Sequence, residues 1–378
     1  MLNTLITYSK YSNDGFANNL YILHDEPIDI SEIDNYSQSA VLIPYNYKEI
    51  IEPSCFQNQT THNYPIIIPV LIQKDFHDLD ELESFIFFNK ELQPNNDNVE
   101  FDFVSFEEYQ ENFLKIQEYL HKGDIYEMNY CIPFILKNIR LNPYQLFFEL
   151  ARKMQSPFTA LMKIDKFFIL SFSPERFLKK EGEYLYTEPI KGTAPRGKTK
   201  EEDEQLVKAL KNSQKEKTEN AMIVDVCRND LSRIAQKGTV SVEELFTIKS
   251  YPTVHQMISK ISCGVKSNVH FKDIIHATFP MASMTGAPKI RAMQIADELE
   301  KMPREFYSGC LGIYQNGDFD LSVLIRSIFY DTEKNEMKIW AGSAVTIYTD
   351  AQKEYDECLI KVKKILQTIK KLTFAKKV

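Results

Sequence analysis

A chain of 378 residues with 43% hydrophobic content has enough apolar material for one large α/β unit or for two or three ordinary domains, which excludes a disordered chain. Only 12 Gly and 16 Pro exclude collagen-like and linker-dominated architectures. A formal charge of −8 argues against nucleic-acid binding, which needs a basic face, and obliges any anionic substrate to find local cations against an unfavourable global field.

Six cysteines, Cys55, Cys131, Cys227, Cys263, Cys310 and Cys358, are dispersed without a CxxC pair or metal-ligand spacing, and they read as thiols of a reducing compartment. The opening MLNTLITYSKYSNDG lacks the apolar segment and cleavage site of a secretory leader. The longest early apolar run, 66–72, contains Pro69 and is too short to span a bilayer. The expectation is a cytoplasmic protein with neither a membrane nor a nucleic-acid partner.

In chain order, the first hundred residues are rich in Tyr, Asn and Asp. Strands are predicted there at 40–45, 66–73 and 85–88, and LQPNNDN at 92–98 reads as a loop. A helix over 106–121 is predicted from Ser105 as N-cap, Glu108 three residues on, the stripe Phe113, Ile116 and Leu120, and Gly123 as terminator. Strands follow at 127–136, 160–163, 167–171 and 184–188, then a long charged helical region over 198–234, then short strands alternating with helices. No internal repeat is visible. Without regular βαβ alternation, the pattern favours a large mixed α/β sheet sandwich over a Rossmann fold or a TIM barrel.

Two helical stretches carry carboxylates at i and i+3: Glu216 with Glu219, and Glu354 with Glu357, the latter followed one turn on by Lys361. Each pair shares one helix face. Two such faces meeting across a cleft suit Mg²⁺, which takes one or two carboxylates and completes its shell with water and substrate oxygens; the alternative is solvated helix surface. Lys191 precedes a Gly–Thr turn bracketed by Pro189 and Pro195. It is a nucleophile there if burial lowers its pKa, and otherwise an anion contact or a solvated side chain. In SMTGAPKIRAM, 283–293, Thr285 reads as a helix cap with Pro288 in the first turn, and N–H groups there favour an anion or simply end the helix. His255, alone among apolar neighbours in YPTVHQMIS, reads as a satisfied core group. Arg326, inside the apolar run LSVLIRSIFY, needs a partner when buried, and a substrate carboxylate is one.

These signals stand in a particular order. SPERF at 173–177, EPIKGTAPRG at 188–197, ENAMIVDVCRNDLSRI at 219–234 and YPTVHQMIS at 251–259 are followed by FPMASMTGAPKIRAM at 279–293, FYSGCLGIY at 306–314 and EYDECLIK at 354–361. Together with GDIYEMNY at 123–130, the series resembles the chorismate-binding enzymes, the family of anthranilate synthase component I, aminodeoxychorismate synthase component I, isochorismate synthase and salicylate synthase. The resemblance implies an α+β fold, a large two-sheet antiparallel β-sandwich flanked by helices, with the site in a cleft. Residues 105–378 would be the catalytic region, and 1–104 a short divergent region adding strands to the same unit. Carried over by motif, the resemblance implies Mg²⁺ on Glu219 and Glu357, with Glu216 and Glu354 in the same acidic shell. It implies Arg326, Tyr307 and Lys361 around the pyruvyl carboxylate of chorismate, His255 and Thr285 along the ring, and Thr193, Gly286 and Gly342 among the substrate contacts. AGSAVTIYTD at 341–350 departs from a more Gly-rich family stretch; Gly342 is kept, but Ser343 and Tyr348 alter the loop.

Lys191 in the family's PI-x-GT turn, Glu127 where the water-adding members carry lysine, and no LLES-type segment near the start imply the aminodeoxychorismate synthase component I branch. Anthranilate synthase component I is the alternative, and a non-catalytic chorismate- or partner-binding subunit is the reading from another class. The implied chemistry has Glu175 as general acid on the departing C4 hydroxyl and Lys191 as nucleophile at C2. Ammonia then attacks C4 and expels the lysine, giving 4-amino-4-deoxychorismate, a precursor of p-aminobenzoate and folate. This scheme asks for a depressed Lys191 pKa and a raised Glu175 pKa. No Cys sits in a nucleophile elbow with a His–Glu pair following, so ammonia is expected from a separate glutamine amidotransferase subunit or from solution, and no lyase domain is expected.

Overall fold

The computed structural model describes residues 3–9, 15–56, 64–86 and 99–374. The loop expected at 92–98, and Phe87 and Phe88 of the strand expected at 85–88, lie outside the described residues.

Every strand among the described residues joins one antiparallel network, which is best followed as two ladders. The first runs from Glu127–Lys137 through Glu336–Val345, Ser327–Asp331, Phe167–Ser173, Phe158–Ile164, Thr4–Tyr8 and Asn19–Leu23 to Ile66–Asp75. On the free side of Glu127–Lys137 lie Glu100–Phe103 and the short Gly286–Ala287. The second ladder starts from the other half of Ile66–Asp75 and runs through Gln38–Ile43, Cys310–Gln315, Asp318–Val323, Arg176–Glu181 and Tyr184–Glu188 to Val254–Gly264. That last strand also takes Ile190–Pro195 and Ser241–Ser250.

Strand alternation builds the layers. Ala160, Met162 and Ile169 face one way and join Leu178, Leu185, Ile261, Leu311 and Leu321 of the second ladder in a core between the two sheets. Leu161, Phe168 and Leu170 face the other way, onto the helices Phe106–Lys122, Pro143–Met154, Lys289–Leu299 and Ala351–Thr373. Each fully buried Leu, Ile or Phe in these layers contributes about 1.5–3 kcal/mol. The result is the two-sheet antiparallel sandwich with flanking helices. Among the described residues no helix is long and apolar enough to cross a membrane.

The helix expected at 106–121 spans Phe106–Lys122, with the Ser105 hydroxyl accepting from the Glu108 N–H at 3.2 Å and Gly123 closing it at φ +78. Phe85, expected in a strand, lies in the helix Leu79–Ile86 instead; Leu79 and Leu82 recur at helical spacing, and Asp80 and Glu81 favour its first turn. The charged helical region breaks at Ser213 into Lys200–Asn212 and Gln214–Ser232. Ser213 ends the first helix and caps the second, its hydroxyl accepting from the Glu216 N–H at 3.4 Å. Thr285 caps nothing. Its hydroxyl donates toward the Met281 and Ala282 carbonyls, and helix Lys289–Leu299 starts behind Pro288 without a side-chain cap.

Candidate functional site

Glu127 opens the first-ladder strand Glu127–Lys137, and Lys191 lies in Ile190–Pro195 on the second ladder. Pairing of the Lys191 strand with Val254–Gly264 slips between Ile190 and Thr193, and Gly192 takes φ +93. A slip of this kind is a bulge that re-aims side chains. Lys191 is buried, whereas Thr193, two residues on, is exposed. Gly192 is required by its positive φ; a Cβ there would also fall 2.9 Å from Oε2 at the end of the Glu216 side chain, which can move aside.

Lys191 Nζ donates to Glu127 Oε1 in a buried ion pair that ties the two ladders together. Glu127 is fully buried, and among the described residues its Oε2 has no hydrogen-bond partner. Burial alone would lower the Lys191 pKa, but Glu127, then Glu219 and Glu175, more than offset it, and the pKa is raised. This corrects the depressed value expected from sequence. The turn around Lys191 was legible; the carboxylate facing it, 64 residues earlier in the chain, was not.

Glu175 sits between Phe167–Ser173 and Arg176–Glu181. Burial pushes its carboxyl up to about 7, against the pull of Ser283, Lys191 and the Ile190 backbone, which favour the anion. The raised direction is the one a general acid needs. The buried Ser283 hydroxyl has no conventional hydrogen bond among the described residues.

The acidic shell comes from two helix beginnings. Glu216 and Glu219 stand in the first turns of Gln214–Ser232, and Glu354 and Glu357 in those of Ala351–Thr373, which Asp350 caps. The two faces meet across Lys215, whose Nζ lies 3.8 Å from Glu219 Oε1 and 3.3 Å from Glu354 Oε1. Burial raises Glu219 to about 7 and moves Glu216 and Glu354 the same way. Glu357 goes the other way, because Lys361 Nζ at 2.6 Å outweighs its burial.

A divalent cation fits this shell. Glu219 Oε1 and Glu354 Oε2 are buried and among the described residues lack hydrogen-bond partners, and hard carboxylate oxygens are what Mg²⁺ takes. Glu357 is the least available of the four, 44% exposed in its side chain and tied to Lys361. Among the described residues no three His, Cys, Asp or Glu groups are arranged as a ready cage; the lysines hold the shell together.

The cationic wall is Arg326 and Lys361. Arg326 lies before the strand Ser327–Asp331, not within it, at φ +53, and its Nη1 donates to the Lys361 carbonyl at 2.5 Å. Among the described residues it has no ion-paired carboxylate, and burial lowers its pKa. Lys361 Nζ also donates to the Gly342 carbonyl at 2.7 Å. Tyr307, close enough to Arg326 to perturb it, stacks on Trp340 with centroids 5.7 Å and planes 13° apart.

A profile of the chorismate binding enzyme family matches residues 77–367. The chain belongs to that family. Over 267 residues it is 39% identical to aminodeoxychorismate synthase component 1 of Klebsiella aerogenes, a match covering 70% of this chain and 58% of that relative, so less than two thirds of the relative's length is spanned. Its fold is that of anthranilate synthase component I from Streptococcus pneumoniae, with TM-score 0.74, 20% identity and coverage of 97% of this chain and 92% of that one. The menaquinone-specific isochorismate synthase of Escherichia coli matches with TM-score 0.76, 14% identity and coverage of 97% and 88%.

In this chorismate binding enzyme some motif residues have their polar groups engaged within the protein. His255 has both ring nitrogens engaged, Nδ1 with Ser250 Oγ at 2.8 Å and Nε2 with Asp203 Oδ1 at 2.9 Å. Asp203 in turn accepts from Arg196 and the Gly197 N–H. This is the satisfied core arrangement, and it anchors helix Lys200–Asn212 to the Lys191 strand. Thr285 spends its hydroxyl on carbonyls, and its own carbonyl accepts from the Asn129 N–H at 2.9 Å. In the altered stretch, residues 341–345 belong to the strand Glu336–Val345, where Ser343 is buried 3.0 Å from the Tyr109 hydroxyl, and Tyr348 beyond it is 94% exposed. Sequence reading did not single out Lys215, Ser283 or Trp340. Only Lys215 carried a signal, as the i−4 neighbour of Glu219.

Gly286 pairs with Met128 at φ +148, and a Cβ there would lie 2.3 Å from the Glu127 carbonyl and 2.8 Å from Ala292 Cβ. Gly286→Ala is therefore expected to destabilise the protein by about 3 kcal/mol, read from the urea midpoint, and to lower activity by shifting the strand that carries Glu127. An unchanged midpoint would show that the backbone yields at no cost.

Proposed function

We propose that this chain is component I of aminodeoxychorismate synthase, replacing the C4 hydroxyl of chorismate by an amino group. One observation carries the reading: a buried lysine amine, Lys191, shares a site with a carboxyl, Glu175, held near neutrality, in a chain 39% identical to aminodeoxychorismate synthase component 1 of Klebsiella aerogenes. A nucleophile and an acid in one low-dielectric cleft are what displacement of a hydroxyl requires.

Arg326, without a carboxylate of its own, binds the pyruvyl carboxylate with Lys361 and Tyr307. Glu219, with Glu216, Glu354 and Glu357 around it, would hold Mg²⁺, which supplies positive charge against the ring carboxylate when bound. Glu175 protonates the departing C4 oxygen as Lys191 Nζ bonds to C2, the ring double bonds shifting between them, and water leaves. Ammonia then bonds to C4, the double bonds shift back, and the C2–N bond breaks to release Lys191. Glu175 takes the surplus proton from the incoming nitrogen. The product is 4-amino-4-deoxychorismate, which feeds p-aminobenzoate and folate. A glutamine amidotransferase subunit supplies the ammonia, in the cytoplasm.

Purified protein incubated with chorismate, Mg²⁺ and an ammonium salt is expected to yield 4-amino-4-deoxychorismate by mass spectrometry. Anthranilate as the product would keep the family and overturn the assignment. No turnover, even with a glutaminase subunit added, would leave a binding subunit.

A further inference from the structure

We propose that Glu127 is a catalytic residue, the group that takes the proton from Lys191 Nζ and frees the amine to attack chorismate. This rests on the amination reading above. Among the described residues Glu127 is the hydrogen-bond partner of Lys191 Nζ, through Oε1. The other carboxylates that act on Lys191 each have other work. Glu175 must itself be protonated when the C4 oxygen leaves, and Glu219, Glu216 and Glu357 belong to the cation shell on the helices Gln214–Ser232 and Ala351–Thr373. Glu127 is the acceptor that remains.

Its surroundings suit a proton in transit. Glu127 is fully buried, and among the described residues Lys191 Nζ is the donor to its carboxylate while Oε2 has no hydrogen-bond partner. Transfer of one proton turns a buried ion pair into two neutral groups, and in a low-dielectric site that exchange offsets much of the lost attraction by removing two desolvated charges. The strand holding Glu127 is fixed by Gly286–Ala287, which keeps the carboxyl on Lys191.

The step balances. An Nζ–H bond breaks, its proton passes to Glu127 Oε1, and the electron pair left on Nζ forms the bond to C2. When ammonia's attack at C4 expels Lys191, the amine takes the proton back from Glu127. Because the proton stays inside the pair, ionisation of Lys191 adds no pH dependence to the wild-type rate. In Glu127→Gln the amide keeps the shape but accepts no proton, so Lys191 must lose its proton to solvent before each turnover.

The test compares wild type, Glu127→Gln and Glu127→Asp in amination of chorismate across pH 6–9 at constant free ammonia. Chorismate binding is read from the emission of Trp340, the sole tryptophan, stacked on Tyr307. Glu127→Gln is expected to lower kcat/KM at pH 7 by about 10²-fold or more and to make it rise about tenfold per pH unit below about pH 7 and level off above, where loss of the Glu175 proton offsets the gain, in place of the wild-type fall, with the chorismate Kd nearly unchanged. Glu127→Asp is expected to be slower than wild type and to keep the wild-type pH profile. Glu127→Gln with the wild-type rate and profile overturns the proposal and leaves the amination reading standing. Wild type that forms no aminated product overturns the reading itself. Circular dichroism checks the fold; if Glu127→Gln does not fold, Glu127→Asp decides, since a steep profile in a folded Asp variant overturns the proposal.

Discussion

Glu175→Gln is expected to slow amination by about 10²–10⁴-fold while making the protein more stable at pH 8. The two effects have one cause. Burial raises the Glu175 carboxyl from 4.5 to about 7, so at neutral pH much of it carries the proton that the C4 oxygen needs on leaving. Glutamine keeps the shape but cannot give that proton. In wild type, kcat/KM is therefore expected to fall above about pH 7 at constant free ammonia, and the Gln variant should lack that limb. The stability sign is the reverse of an ordinary salt-bridged carboxylate. Below pH 4.5 both folded and unfolded chains hold the proton. Between 4.5 and about 7 the unfolded chain releases it while the folded chain keeps it, so stability falls as pH rises and the loss is complete above about 7. At about 1.4 kcal/mol per pH unit the full loss is about 3 kcal/mol. Glutamine has no charge to bury, so its Tm should stay flater over this range and exceed the wild-type Tm at pH 8. A Gln variant that aminates normally would remove Glu175 from the chemistry; one less stable than wild type at pH 8 would show that the folded carboxyl is an ordinary anion.

How much of this was legible in the sequence depends on the reach of each signal. The helix Phe106–Lys122 is written in local terms: Ser105, Glu108 and Gly123 act within a few residues, and the helix begins and ends where they place it. Strand Tyr184–Glu188 was equally local. Ser213 is local too, yet it was lost inside a long charged region because propensity continues across it and only its cap geometry breaks the helix. Phe85 was misassigned because a run of apolar residues is read by length before period, and Leu79 and Leu82 carry the period. The two acidic helix faces could be drawn from i,i+3 spacing, but their meeting across Lys215 depends on tertiary packing. The Glu127–Lys191 pair joins two ladders, and register between ladders leaves no mark in either strand. The direction of the Lys191 pKa went wrong for that reason alone. Burial was foreseen, the partner was not, and the partner prevails.

Lys191→Met is expected to abolish amination and to destabilise the protein by about 3–5 kcal/mol, because it leaves Glu127 buried without its counter-charge. Loss of activity in that variant alone says little, since a lysine that merely held two ladders together would give the same result. The double variant Lys191→Met with Glu127→Gln separates the roles. Replacing a whole buried ion pair by neutral groups of similar size is close to neutral, so the urea midpoint should recover most of what the single variant lost. Amination should not recover, because no amine remains to bond to C2. A double variant that regains both stability and amination would show that Lys191 is structural. Withholding ammonia probes the same point from the other side. Wild type given chorismate alone should accumulate an adduct on the peptide carrying Lys191, and Lys191→Met should not. Stability follows the charge balance of the pair, whereas chemistry follows the amine itself. A purely structural lysine offers no way to part the two.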